Sequence, residues 1–303
     1  MKTTHRFLAL GLCGLLIWFL ADAATVRQAV SEGLSLCARS VIPAMFPFLV
    51  VSGLLISLGL GPALAPSLNG FMARLFHLPG TAGAALLLGF AGGYPVGVST
   101  AAALYRAGQL TTEETRRLLT FCNNANPAFF LNVLGAGVFQ SPRTGLVLWL
   151  IHVLSALLTG ILLGRSQHRP RQAAPPVLTP TRSVPLLWVD AVGTALRGIL
   201  SVCAFVVIFY VLTRPLLGLP LSLSRVAVGC VELFSLTPLL PDSPAGFVLA
   251  AACSGWGGLS VLCQSAAMLE GTDLPLTPCL QGKAVQGLLS ALLAGGWVYF
   301  IRI

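Results

Sequence analysis

The chain has 303 residues, of which 56% are hydrophobic and only 9% charged, against roughly 25% charged in an ordinary soluble domain. A mean hydropathy of +0.87 leaves too little polar surface to face water, so a soluble globular protein is excluded and a multi-pass membrane protein is expected. The net charge of +9 rests on cations placed singly or between apolar runs, which is the positive-inside pattern of membrane loops and not the footprint of a nucleic-acid face.

Lys2 and Arg6 precede an unbroken apolar run over 7–20. Ala21-Asp-Ala23 behind it resembles a signal-peptidase site, but in a polytopic chain a retained first membrane helix over 1–25 is expected. Between Val26 and Ser40, polar Arg27, Gln28, Ser31, Glu32, Ser35 and Arg39 alternate with apolar residues at helical spacing, which predicts a helix along the interface. Residues 41–60 are apolar but carry Pro43 and Pro47, and either a kinked span or a re-entrant hairpin fits them. The stretch 61–79 is too short and punctuated to predict a span. An apolar segment, 80–106, is interrupted by Gly92-Gly-Tyr-Pro95. Thr112-Glu-Glu-Thr-Arg-Arg117 reads as a short surface helix with a hydroxyl cap and acids in its first turn. The segment 121–139 carries Cys122-Asn-Asn-Ala-Asn-Pro127, and 145–163 reads as an ordinary span whose His152 packs against a neighbour.

A linker over 164–185 holds Arg165, His168, Arg169, Arg171 and Arg182 with five prolines and no acid, so it is expected to be a cytoplasmic loop. The plan then repeats. Residues 188–200 predict another surface helix, 221–240 hold Glu232, 245–269 hold a second interrupted stretch at Ser254-Gly-Trp-Gly-Gly258, and 278–301 close the chain. Ala29-Val30 matches Ala191-Val192 at an offset of 162, Gly70 and Pro79 match Gly229 and Pro238 at 159, Gly92-Gly93 match Gly257-Gly258 at 165, and Gly108 matches Gly271 at 163. The reading is of two repeats, 26–140 and 188–303, joined by a connecting span and loop over 141–187. They are inverted if each crosses an even number of times.

Backbone that leaves the helix at membrane depth needs partners that lipid cannot supply, and paired interruptions mark a transporter's binding site. The expected site therefore comprises Gly92, Gly93, Tyr94, Pro95 and Ser99 from the first break, and Gly257, Gly258, Ser260 and Gln264 from the second. To these are added Asn123, Asn124 and Asn126, whose buried amides each cost about 1–3 kcal/mol if unpaired. Glu232 lies in an otherwise apolar run, where an acid costs at least about 2.5–3.5 kcal/mol, and it is expected to relay a proton or sodium ion or to bind a solute donor. The eight cysteines show no C-x-x-C spacing and the four histidines form no H-E-x-x-H, so no metal or cofactor is expected. No G-x-S-x-G or paired intramembrane Asp is present either, and no enzymatic activity is expected.

Gly92-Gly-Tyr-Pro-Val-Gly97, Arg106-Ala-Gly-Gln-Leu-Thr111, Cys122-Asn-Asn-Ala-Asn-Pro127, Glu232 and Gly257-Gly-Leu-Ser-Val-Leu-Cys-Gln264 resemble the YlbJ group of sporulation integral membrane proteins, within the wider nucleoside-recognition gate family. The resemblance runs in order through most of the chain from about residue 26. It implies an all-α polytopic bundle similar to concentrative nucleoside transporters, with broken helices and re-entrant hairpins around a midplane site, and about eight to ten spans are expected. It also implies a role in endospore formation, moving dipicolinic acid across the outer forespore membrane. Expected partners are the small solute, the bilayer and a coupling proton or sodium ion, with self-association or sporulation membrane partners left open. Amides, hydroxyls and half-helix N-termini suit a small aromatic dianion, and Tyr94 or Trp256 could stack on its ring. A nucleoside would use the same groups.

Overall fold

The computed structural model describes residues 3–164 and 183–301, and all regular structure among them is helical. Residues 165–182, the centre of the expected basic linker, lie outside the described residues. In chain order the helices are α1 (Thr3–Ala21), α2 (Ala23–Leu36), α3 (Ile42–Ser57), α4 (Leu60–Phe76), α5 (Gly83–Gly92), α6 (Val96–Arg106), α7 (Thr112–Leu119), α8 (Pro142–Leu163), α9 (Val184–Leu212), α10 (Leu221–Val231), α11 (Leu233–Leu236), α12 (Pro244–Trp256), α13 (Gly258–Leu269) and α14 (Thr277–Ile301). Short π-helical segments at Cys37–Val41 and Phe129–Val138 join or extend them.

Two apolar stretches turn back instead of crossing. α5 and α6 form a hairpin tipped by Gly93-Tyr94-Pro95. Gly93 takes φ +84° and the Tyr94–Pro95 peptide is cis. Across the hairpin, the Cβ position of Gly89 lies 3.1 Å from Gly97 Cα. α10, α11 and the turn after them form a second hairpin about Glu232, closed where Arg225 Nε donates to the Leu239 carbonyl at 2.7 Å. Two other segments run through but are interrupted: α7 passes by non-helical Asn123–Asn126 into Phe129–Val138, and α12 meets α13 at Gly257. α8 and α14 then close the two sets.

The ends of the bundle fix the direction of each helix. At one end Tyr105 Oη donates to Asp273 Oδ1 at 2.6 Å, Arg106 to the Glu270 carbonyl at 2.7 Å, and Arg117 to the His77 carbonyl at 2.7 Å. At the other, Arg214 pairs with Glu32, and the Phe139 and Phe247 rings lie 6.1 Å apart. The interrupted helix of the first set therefore leaves the first end and α8 returns to it. α9 crosses alone, and the second set repeats the plan in the opposite direction. The glycine landmarks aligned Gly92-Gly93 with Gly257-Gly258, whereas the structure pairs the tip at Tyr94 with the tip at Glu232. Gly93 and Gly257 share a left-handed φ, +84° and +82°, because a hairpin tip and a helix interruption both need it. Ser155 of α8 meets Ser290 of α14 at 2.8 Å, an offset of 290 − 155 = 135, close to 232 − 94 = 138 for the tips.

Several local expectations change. α2 continues through its π-helical turn into α3 and packs antiparallel to α9, with the Cβ position of Gly33 3.2 Å from Val207 Cα and that of Gly53 3.9 Å from Ala191 Cβ. Of the polar residues over 26–40, Glu32 accepts from Tyr210 at 3.3 Å and from Arg214, while Arg27, Gln28, Ser31, Ser35 and Arg39 are exposed. Residues 188–200 belong to the 29-residue α9. α4 is a well-formed helix, bent 84° from α3. α7 has the expected hydroxyl cap, in which Thr111 and Glu114 form a reciprocal capping box, but Glu114 and Arg117 are buried instead of solvated. Among the described residues, Pro142–Leu163, Val184–Gly218 and Pro244–Leu269 are long and apolar enough to cross a membrane, three helices, or five spans if two bent pairs each count as one. The arms of the two hairpins, α5 and α6, α10 and α11, are too short to count among them.

Each hairpin is seated by backbone contact. A Cβ on Gly97 would run into the Cys122 carbonyl, and one on Gly258 would lie 2.8 Å from the Val231 carbonyl. The tips are thus held against the interruptions of their own sets, and what lies between the sets is a cavity.

Candidate functional site

The cavity, of about 190 Å³, opens between the two hairpin tips. Four of the expected site residues line it: Tyr94, Asn126, Glu232 and Gln264. Phe129 and Asn132 of the π-helical segment, Phe234 of α11, and Val202 and Val206 of α9 complete much of its wall. The other expected residues act around it. Gly92, Gly93 and Pro95 shape the first tip, with the Cβ position of Gly93 3.0 Å from Asn126 Cβ, and Gly257 and Gly258 shape the second interruption. Ser260 accepts from Gln264 Nε2 at 3.1 Å. Ser99 is half-buried on α6.

Two lining residues also hold backbone ends. Asn126 Oδ1 accepts the Phe129 amide at 2.8 Å, and Glu232 Oε2 accepts the Ser235 amide at 2.5 Å. Both oxygens satisfy an amide that would otherwise lack a partner at a helix start. Glu232 is only 2% exposed, so its carboxylate is held by the hairpin while facing the cavity.

Behind Tyr94 lies a second polar layer that the sequence reading did not assemble. The Tyr94 hydroxyl donates to the Ser254 carbonyl at 2.6 Å. Lys283 Nζ sits 4.7 Å from the centre of the Tyr94 ring and donates to Gln286 Oε1 at 2.7 Å. Because an ammonium only donates, the Gln286 amide must turn its oxygen to Lys283. Its Nε2 then donates to Asn124 Oδ1 at 3.0 Å, and Asn124 Nδ2 donates to the Phe121 carbonyl at 2.8 Å. His152 Nε2 accepts the Ala125 amide at 3.1 Å, so the neutral ring carries its proton on Nδ1. Asn123 donates to Ser265 at 2.9 Å. Asn123 and Asn124 therefore brace the first interruption against α13 and α14 and do not line the cavity.

The signal for this layer is present in the chain. Lys283, Gln286 and Ser290 fall at i, i+3 and i+7 in an apolar helix, as do His152, Ser155 and Thr159, so each trio shares one face. A lone lysine at membrane depth is a functional candidate by default. Along the chain it is masked by the apolar setting of 278–301, which reads as a plain closing span. Asn124→Ala removes the acceptor for Gln286 and a donor to the Phe121 carbonyl. The protein in detergent is expected to lose about 1–3 kcal/mol of stability, read as a lower thermal midpoint.

Residues 38–214 match the family model described as Gate, nucleoside recognition. The chain is 28% identical over 308 aligned positions to the sporulation integral membrane protein YlbJ of Bacillus subtilis (strain 168), an alignment that covers 88% of this chain and 76% of that protein. No solved structure matches.

Proposed function

The chain belongs to the nucleoside-recognition gate family of membrane proteins, and from that premise we propose that it is a solute permease and not an enzyme, moving a small aromatic carboxylate, dipicolinic acid, across the outer forespore membrane during endospore formation. The observation that carries the transport reading is the cavity between two oppositely directed hairpin tips, the place where broken-helix transporters bind solute. The sporulation setting rests on the relative named for it. Tyr94, Phe129 and Phe234 offer aromatic faces, and Asn126, Asn132 and Gln264 offer amide donors to carboxylate oxygens. Glu232 is the group through which a proton or sodium ion couples to movement.

A second reading, a nucleoside or nucleobase carrier, is favoured by the family's own description and uses the same amides and rings. Uptake of labelled dipicolinate into vesicles carrying the protein, with uridine as competitor, separates them. Saturable dipicolinate uptake that ignores uridine and falls at least about tenfold, roughly 1.4 kcal/mol, in Gln264→Leu supports the first reading. Uridine uptake supports the second. A well-inserted protein that moves neither is a structural membrane protein.

A further inference from the structure

Lys283 is 2% exposed on α14, and among the described residues no carboxylate lies within 4.0 Å of its ammonium. A cation at this depth requires compensation, and the compensation here comes from oxygens that carry no formal charge. The Gly257 interruption ends α12 at Trp256 and frees carbonyls of its last turn. Tyr94 takes the Ser254 carbonyl, and Lys283 Nζ donates to the Gly255 carbonyl at 3.3 Å. The remaining contacts of Nζ are Gln286 Oε1 at 2.7 Å and the Tyr94 hydroxyl at 3.4 Å, with the Tyr94 ring face at 4.7 Å. α12 can present its carbonyl so close to α14 because Gly255 and Gly287 meet there: a Cβ on Gly255 would lie 2.9 Å from Gly287 Cα.

A half-helix carbonyl end with side-chain oxygens beside it is the arrangement by which broken-helix transporters bind a monovalent cation from solution, and the negative end of the helix dipole favours positive charge there. In this chain the cation is covalently attached. We propose that Lys283 is a tethered cation: its ammonium fills a monovalent-cation site built from the Gly255 carbonyl, Gln286 Oε1 and the Tyr94 hydroxyl, so this position takes no sodium from solution. The lysine holds α12, α14 and the first hairpin tip together through Tyr94, one ring's thickness behind the cavity. Coupling to a dissolved ion is left to Glu232 on the other hairpin.

The inference is independent of which solute is carried, and its test needs no transported solute. The purified full-length protein is melted in detergent with choline, sodium, potassium, ammonium or methylammonium chloride at matched ionic strength. In wild type this site is expected to take none of the five, so any gain from sodium comes through Glu232 and persists in Tyr94→Phe. Lys283→Ala opens the site, so it melts lower in choline and regains at least half of the loss in one or more of the small cations, rising with the logarithm of cation concentration as linked binding requires. Lys283→Ser, which can still bond to Gln286, serves the same purpose if the alanine variant does not fold. A folded variant whose midpoint ignores the cation present overturns the proposal. So does a wild-type protein that sodium stabilises over choline at saturable concentrations with that gain lost in Tyr94→Phe, a result readable even if neither lysine variant folds.

Discussion

Vesicles carrying Glu232→Gln are expected to take up solute at least about tenfold more slowly than wild type, a change of roughly 1.4 kcal/mol, while the protein melts close to the wild-type temperature. The two outcomes separate because Glu232 does two things. One carboxylate oxygen accepts the Ser235 amide at 2.5 Å and starts the returning arm of the hairpin, and a glutamine oxygen can do the same. What glutamine cannot do is carry charge or take up a proton on the wall of the cavity. Glu232→Ala should lose both roles, adding the cost of a missing helix cap, about 0.5–2 kcal/mol, to the transport defect. Uptake and thermal midpoint measured on both variants decide the point: undiminished uptake in Glu232→Gln would reduce the residue to a cap.

The largest effect on stability is expected at Gly97. A Cβ there would overlap the carbonyl of Cys122, which belongs to the backbone of the first interruption and cannot swing aside as a side chain could. Overpacking usually costs about 1–3 kcal/mol, and Gly97→Ala is expected at or beyond the upper end of that range, with α6 pushed off the stretch that seats its tip. Gly295→Ala is the control. It lies in α14 with no atom near its Cβ position, so the change should be neutral or stabilising by up to about 1 kcal/mol through helix propensity. Thermal unfolding of the two variants side by side gives the comparison.

Much of the frame was legible. Gly92-Gly-Tyr-Pro95 and Ser254-Gly-Trp-Gly-Gly258 announced interruptions because glycine and proline leave few other reasons for their presence in an apolar run. Thr111 and Glu114 announced the cap of α7. The kind of interruption was not legible. A chain that reverses at Gly93 and one that runs on past Gly257 both use a glycine at positive φ, but with ψ of -173° and -20°, a difference that the residue type alone does not carry. Constant spacing between glycines therefore matches residues of like composition, the tip at Gly93 and the interruption at Gly257-Gly258, that differ in their place in the fold. Of the residues expected to bind solute, Asn123 and Asn124 were recognised as buried amides needing partners. Those partners, Ser265 and Gln286, come from helices more than a hundred residues away in sequence, and no local pattern reveals them. Lys283 was legible in principle, as a cation with polar residues one and two turns on.

The seating of each hairpin by glycine against carbonyl has a consequence for how such a protein can change over generations. Contacts made by backbone alone set the relative positions of tips and interruptions and are indifferent to the neighbouring side chains. Phe129, Asn132 and Gln264 project from that frame into the cavity without supporting a glycine–carbonyl seat. A descendant can therefore trade one ring or amide for another, and with it one cargo for another, while inheriting the same architecture. Substitution at the glycines closes that route, because it damages every cargo's path at once.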